Sequence, residues 1–179
     1  MAHAKNEASR SKNVIYRELM PAHQMENLYR VTEVQLVYKN KLKVSDRPRI
    51  RSSLDAYKLF SEAWDYDKIE LQEEFKILLL DRKNSCLGIS QVATGGITDC
   101  MVDLRIVFAT AIKARATAII LAHNHPSGNK TFSEPDRKLT KDFADAGKIL
   151  NVNVLDHVVL TTEGYISMAD EGVMPSTRI

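Results

Sequence analysis

The chain has 179 residues, of which 44% are hydrophobic and 27% charged, and its formal net charge is +2. These fractions are typical of a soluble globular protein. Two cysteines without a C-x-x-C pair indicate neither a disulfide framework nor a thiolate zinc knot. No apolar run is long enough to cross a bilayer, and the N-terminus lacks the apolar core of a signal peptide, so we predict a cytoplasmic protein without a membrane partner.

Charge is distributed unevenly along the chain. Residues 1–51 hold 11 Lys and Arg against 5 Asp and Glu, whereas residues 52–179 hold 14 against 18. We predict a polar, flexible arm over residues 1–30 and a single domain over residues 31–179. The basic residues 1–51 either make weak contact with nucleic acid or form a solvated segment without a partner.

Local patterns begin to predict regular structure after the arm. Alternation of apolar and polar residues predicts a strand or hairpin over residues 31–44. Serines that can cap a helix open residues 52–65, where Leu54, Tyr57 and Trp64 fall near one helical face.

Strands and helices alternate in the rest of the chain. Apolar runs predict strands over residues 73–81, 85–96, 116–122, 152–160 and 165–168. Helical spacing predicts two helices, one through Leu104, Phe108, Ala111 and Arg115 and one through Leu139, Phe143, Ala146 and Leu150. This order predicts the α/β class, a mixed sheet with helices packed on it.

Polar side chains are concentrated in "LAHNHPSGNKTFSEPD", residues 121–136, directly after an apolar strand. His123 and His125 are two residues apart, so an extended backbone directs both imidazoles to the same face. Two imidazoles can share a zinc ion, which in catalytic sites takes three protein ligands and leaves one position open. Asp136 is the natural third ligand, although a lone His-x-His is weak evidence for a metal and is more typical of surface or hydrogen-bonded core histidines.

Ser133 and Asp136 have a second interpretation. They form a Ser-x-x-Asp sequence in front of an apolar helix, with Pro135 in the first turn. This pattern is typical of a capped helix whose first-turn carboxylate interacts with the helix dipole. Capping and metal ligation are compatible, because the dipole also keeps the aspartate ionised.

The complete string is more specific than its parts. His-x-His-Pro, six residues and Ser-x-x-Asp match the JAMM signature of the JAB/MPN metalloproteases, and "ILAHNHPSG" and "LDHVVL" resemble the RadC-like branch most closely. The likeness is strongest over residues 50–168. It implies a JAB/MPN-like (cytidine-deaminase-like) sheet flanked by helices. Residues 1–50 are too short for the helix-hairpin-helix region that RadC-like proteins often carry.

The resemblance also implies a mechanism. Zn²⁺ held by His123, His125 and Asp136 activates water for attack on an amide carbonyl. The family's general base is a glutamate directly before an aromatic residue that opens a strand, which corresponds to Glu74, with Glu73 as the alternative if the register differs by one. Ser133 corresponds to the family's donor to the oxyanion. A zinc metallopeptidase or isopeptidase acting on a peptide or protein is therefore predicted.

Two other functions are compatible with the same residues. The chain could be a DNA-repair accessory protein that binds nucleic acid through its basic arm, or a metal-binding scaffold without turnover. His157 lies inside an apolar run, where a histidine that supports a ligand is more typical than a fourth ligand.

Overall fold

A computed structural model describes residues 43–97 and 100–176 of the chain. The arm predicted over residues 1–30 lies outside these residues, as does nearly all of the strand or hairpin predicted over residues 31–44. A short 3-10 turn spans Val44–Asp46. Within the described ranges, no helix is both long and apolar enough to cross a membrane.

The predicted mixed α/β sheet is confirmed. Its helices are α1 (Ser53–Ala63), α2 (Leu104–Lys113) and α3 (Glu134–Leu150). Its strands are β1 (Glu74–Leu80), β2 (Cys86–Thr94), β3 (Ala118–Asn124), β4 (Asn153–Thr161) and β5 (Gly164–Ser167). The five strands lie in the order β2-β1-β3-β4-β5, and β3 and β4 are parallel while the other neighbours are antiparallel.

Both faces of the sheet are covered by helices. On one face, Phe60 and Trp64 at the α1 end pack against alternate residues of the central strands, among them Leu78 and Ile120. On the other face, α2 and α3 supply Val107, Phe108 and Phe143, which pack against Phe75, Ile77, Ile119 and Leu121. All seven residues of β1 and all seven of β3 are buried as a result, as is usual for central strands covered on both sides.

Three details of the predicted helices are wrong. Leu54 is 45% exposed, because the buried face of α1 is formed by Ala56 and Phe60. Leu150, at the end of α3, is 42% exposed. Arg115 lies beyond α2, where a positive φ of 59° has already ended the helix.

The unit β3-α3-β4 positions the polar segment. A parallel pair needs a crossover, and α3 provides it by returning the chain from the end of β3 to the start of β4. The carboxyl end of β3 and the first turn of α3 are therefore neighbours in space. The polar segment at residues 123–136 joins them.

Candidate metal centre

Two histidines converge at the end of β3. The His123 side chain extends from the α2/α3 face of the sheet and is almost completely buried, and His125 follows one residue after the strand ends. Their Nε2 atoms lie 2.9 Å apart. The prediction that both imidazoles leave the same side of the chain is confirmed.

Asp136 reaches the same point from the first turn of α3. Its Oδ1 lies 3.2 Å from His123 Nε2, and its Oδ2 lies 3.7 Å from His125 Nε2. The ligand atoms of the three residues all fall within 4.8 Å of one another. Tetrahedral zinc with ligand distances of about 2.0–2.1 Å separates its ligand atoms by about 3.3 Å. The three groups therefore fit a metal ion in both chemistry and spacing.

Hydrogen bonds on the far sides of the two imidazoles orient them toward this point. His125 Nδ1 donates to the Asn129 carbonyl oxygen at 2.7 Å, which leaves Nε2 unprotonated and available as a ligand in the neutral ring. Burial disfavours protonation of His125, but its hydrogen bonds to Asp136 and Asn129 outweigh burial and raise its pKa.

His123 is oriented through two further residues. The Thr140 hydroxyl donates to the Asp136 carbonyl oxygen at 2.6 Å, so it accepts from His157 Nδ1, which is also 2.6 Å away. Complete burial holds the pKa of His157 well below its usual range, so its ring is neutral and its Nε2 accepts. His123 Nδ1 lies 2.8 Å from that atom and donates to it. The proton of His123 is thereby kept on Nδ1, and Nε2 faces the metal position.

Ser133 and Asp136 form a complete capping box. The Asp136 N–H is 3.2 Å from Ser133 Oγ, and the Ser133 N–H and hydroxyl donate to Asp136 Oδ2 at 2.8 and 2.6 Å. Burial alone raises the pKa of Asp136, but the polar groups of His123, His125 and Ser133 around it outweigh burial and bring the pKa far below its usual value. Capping and preparation of an ionised ligand are thus combined, and the oxyanion role of Ser133 stays a prediction.

The three groups open into a cavity of about 670 Å³. One wall is apolar and includes Ile97, Met101, Val102 and Leu139, while Asn129, Thr131 and Lys138 add polar groups. Glu73 and Ser133 line the same cavity. Its volume is that of a typical ligand site with apolar walls and a few polar groups.

The structure does not place Glu74, the glutamate predicted as general base, beside the candidate metal ligands. Glu74 lies on the α1 face, opposite the metal ligands, where its Oε2 pairs with Lys76 Nζ at 2.9 Å and both side chains are buried. Glu73 is the residue that lines the cavity, and its charge contributes to the raised pKa of His125. Successive residues of an extended chain face opposite sides, so a shift of one residue exchanges the two glutamates.

Comparison with known proteins identifies the family of this chain. The family model described as RadC-like JAB domain matches residues 50–173. The chain belongs to this family. UPF0758 proteins from Flavobacterium johnsoniae and Desulfitobacterium hafniense are similar to it, with 43% identity over 101 residues and 39% over 128. These matches cover 56% and 72% of this chain.

A UPF0758 protein of Symbiobacterium thermophilum is 42% identical over 102 residues, or 57% of this chain. The alignments cover 44%, 55% and 44% of the three relatives, so this chain spans about half the length of the curated relatives it matches. For a RadC-like JAB domain, the His123, His125 and Asp136 group is a candidate metal site.

Two residues that support the site from outside it were not predicted from the sequence. Thr140 lies one turn after Asp136, a spacing that places both on one face of α3, but a threonine in a helix is common and gave no signal. Asn124 stands between the two histidines, and its alternation with them directs it to the opposite face. This alternation is the sequence signal that distinguishes Asn124 from the candidate metal ligands on either side of it.

Proposed function

We propose that this RadC-like JAB domain is a zinc-dependent hydrolase that cleaves an amide bond in a peptide or protein. The observation that carries the proposal is that a carboxylate which is not a ligand, Glu73, lines the same cavity as His123, His125 and Asp136. A metal scaffold needs only the three ligands. A hydrolase also needs a group that moves a proton.

Each residue has a defined task in this proposal. Bound zinc supplies a Lewis acid that lowers the pKa of water toward neutrality. His123 and His125 present Nε2, and Asp136 presents an ionised carboxylate. The Glu73 carboxylate takes a proton from the attacking water and returns it to the nitrogen of the leaving amine. The apolar wall of the cavity excludes water beside the scissile bond.

The test compares the two glutamates. Glu73→Gln keeps the zinc content of the wild type but loses about 10² to 10⁴ in the rate of peptide hydrolysis, since the proton acceptor is gone. Glu74→Gln loses up to about 3 kcal/mol of folding free energy because Lys76 is left buried without its partner. Its rate per zinc-loaded molecule stays that of the wild type.

Zinc content by elemental analysis and product formation from a peptide library measure both effects. His125→Ala serves as the metal-free reference, because it removes a ligand. Wild-type rates in Glu73→Gln, or full zinc occupancy in His125→Ala, contradict the proposal.

A second candidate follows from charge alone. The 11 basic residues within residues 1–51 favour a nucleic-acid-associated role, of the kind that the DNA-repair reading of the family suggests. Nothing in the metal centre requires this role, and we propose it only as the alternative.

A further inference from the structure

We infer that Asn124, which lies between the two metal-ligating histidines in sequence, is a positioning residue that holds the segment carrying Glu73 beside the metal centre. The inference rests on the proposed function for the role of Glu73 itself. It assigns a task to a side chain that touches neither the metal ligands nor the cavity.

Asn124 is the last residue of β3 and is completely buried on the α1 face of the sheet. Its Nδ2 donates to the carbonyl oxygens of Ile69 and Gln72 at 2.7 and 2.9 Å. Its Oδ1 accepts from the Glu74 N–H at 2.7 Å. Three of the four hydrogen bonds that an asparagine amide can make are therefore formed, and all three go to residues 69–74.

The position of these bonds explains why an amide is needed. β1 and β3 are antiparallel, with Phe75 opposite His123 as the last backbone pair. Beyond it the chain stays bonded to β4, since the His125 N–H donates to the Leu160 carbonyl oxygen at 3.0 Å. The Asn124 side-chain amide replaces the backbone pairing with the β1 side, because it offers a donor and an acceptor as a peptide group does.

Glu73 lies at the centre of this arrangement. Asn124 binds the Gln72 carbonyl oxygen before it and the Glu74 N–H after it. On the other edge, the N–H and carbonyl oxygen of Glu73 pair with Gly96 and Gly95 at 2.8 and 2.7 Å. The backbone of Glu73 is held from both edges, so its carboxylate leaves the chain in a fixed direction, toward the cavity.

This arrangement links two parts of the proposed mechanism. The strand that directs His123 into the metal centre also fixes, through the next residue, the segment that presents Glu73. A displacement of about 1 Å in a catalytic group can cost about 10² in rate. Loss of the Asn124 amide is therefore expected to reduce turnover through Glu73 without removing the metal.

Two substitutions test the role. Asn124→Asp keeps the shape but replaces both N–H donors with an oxygen that faces the Ile69 and Gln72 carbonyls. Asn124→Ser introduces a smaller side chain that fits without a clash and is too short to reach these partners. It remains usable if Asn124→Asp prevents folding. Thr161→Val is the matched control, because Thr161 is also buried, at 1% exposure, but its hydroxyl bonds only within the turn at Thr161–Gly164.

The first measurement is hydrogen exchange by mass spectrometry on the full chain loaded with zinc. In both Asn124 variants, amides of residues 69–76 exchange at least about tenfold faster than in the wild type, while β4 and α3 keep their protection. Thr161→Val leaves residues 69–76 unchanged. This reading needs no activity, so it stands even if the wild type hydrolyses no peptide and the proposed function fails.

The second measurement is a double-mutant cycle for hydrolysis. Asn124→Asp lowers kcat by about 10² with KM nearly unchanged, but in a Glu73→Gln background it costs less than about threefold, since the group that it positions is already absent. Unchanged exchange in residues 69–76, or equal losses of rate in both backgrounds, overturns the inference.

Discussion

At the scale of single residues, the orientation and tautomer of the His123 imidazole depend on atoms outside the candidate metal site. Thr140 must give its proton to the Asp136 carbonyl, which makes its oxygen an acceptor for His157. His157, buried and neutral, must then accept from His123. The Asp136 carbonyl thus determines, through three successive hydrogen bonds, which nitrogen of His123 carries the proton.

This chain of bonds makes a prediction for Thr140→Val, which keeps the shape and removes the hydroxyl. His157 loses its fixed tautomer, so His123 no longer holds its proton on Nδ1 reliably. Zinc affinity is expected to fall by about 10- to 100-fold, the usual effect of removing a group that orients a metal ligand. Competition with a chromophoric chelator measures the change.

Thr110→Val is the control for this experiment. Thr110 also donates to the carbonyl four residues earlier, at 2.8 Å from Ile106, but it lies on α2 and contacts no histidine. Both variants lose the same local bond, whereas only Thr140→Val weakens zinc binding. Equal affinities in the two variants contradict the assigned tautomer of His123.

At the scale of elements, the first turn of α3 serves both as a helix cap and as part of the metal centre. The Ser-x-x-Asp pattern in the sequence is compatible with both roles. A second copy of the pattern in this chain shows that the pattern alone cannot distinguish them. Ser52 and Asp55 have the same spacing at the start of α1, where Ser52 accepts from the Asp55 N–H at 3.2 Å. The two helix starts differ because β3 brings two histidines to the first turn of α3.

These two caps provide a matched pair of variants. Ser52→Ala and Ser133→Ala each lose about 1 kcal/mol of folding free energy, because each removes the acceptor for a first-turn N–H. Ser133→Ala alone is also expected to weaken zinc binding, since it removes the hydroxyl that donates to Asp136 Oδ2. Urea unfolding and chelator competition on both proteins measure the effects; a loss of zinc affinity in Ser52→Ala is the contrary outcome.

Strand β1 shows where the sequence is insufficient. The three candidate metal ligands were predictable, since their spacing places them at a strand end and a helix start. The glutamate was not, because every residue of β1 is buried and the alternation that distinguishes the two faces is absent. Burial of the Glu74–Lys76 pair was also not predictable, since charged residues at a strand start are usually solvated.

At the scale of the whole molecule, the candidate metal centre depends on residues 69–161, and residues well before them in the chain also belong to the folded body. The Cys86 N–H donates to Pro48 at 2.7 Å and the Ile50 N–H to Asn84 at 2.9 Å, so residues 48–50 belong to the body. Arg47 pairs with Asp81 at 3.8 Å, and only 11% of its side chain is exposed. Part of the basic charge of residues 1–51 is thus already engaged within the domain.

The last prediction concerns removal of residues 1–30 from the chain. The contacts that build the candidate metal centre in the described part of the chain lie among residues 69–161, so the truncated protein is expected to keep one zinc per chain and its melting temperature. The removed residues hold 5 basic and 3 acidic groups, so any binding to DNA weakens by less than about tenfold at low salt. Elemental analysis, thermal unfolding and a salt titration of DNA binding measure these quantities. A truncated chain that fails to fold would place residues 1–30 in the core, and a complete loss of DNA binding would make them the contact surface of the alternative function.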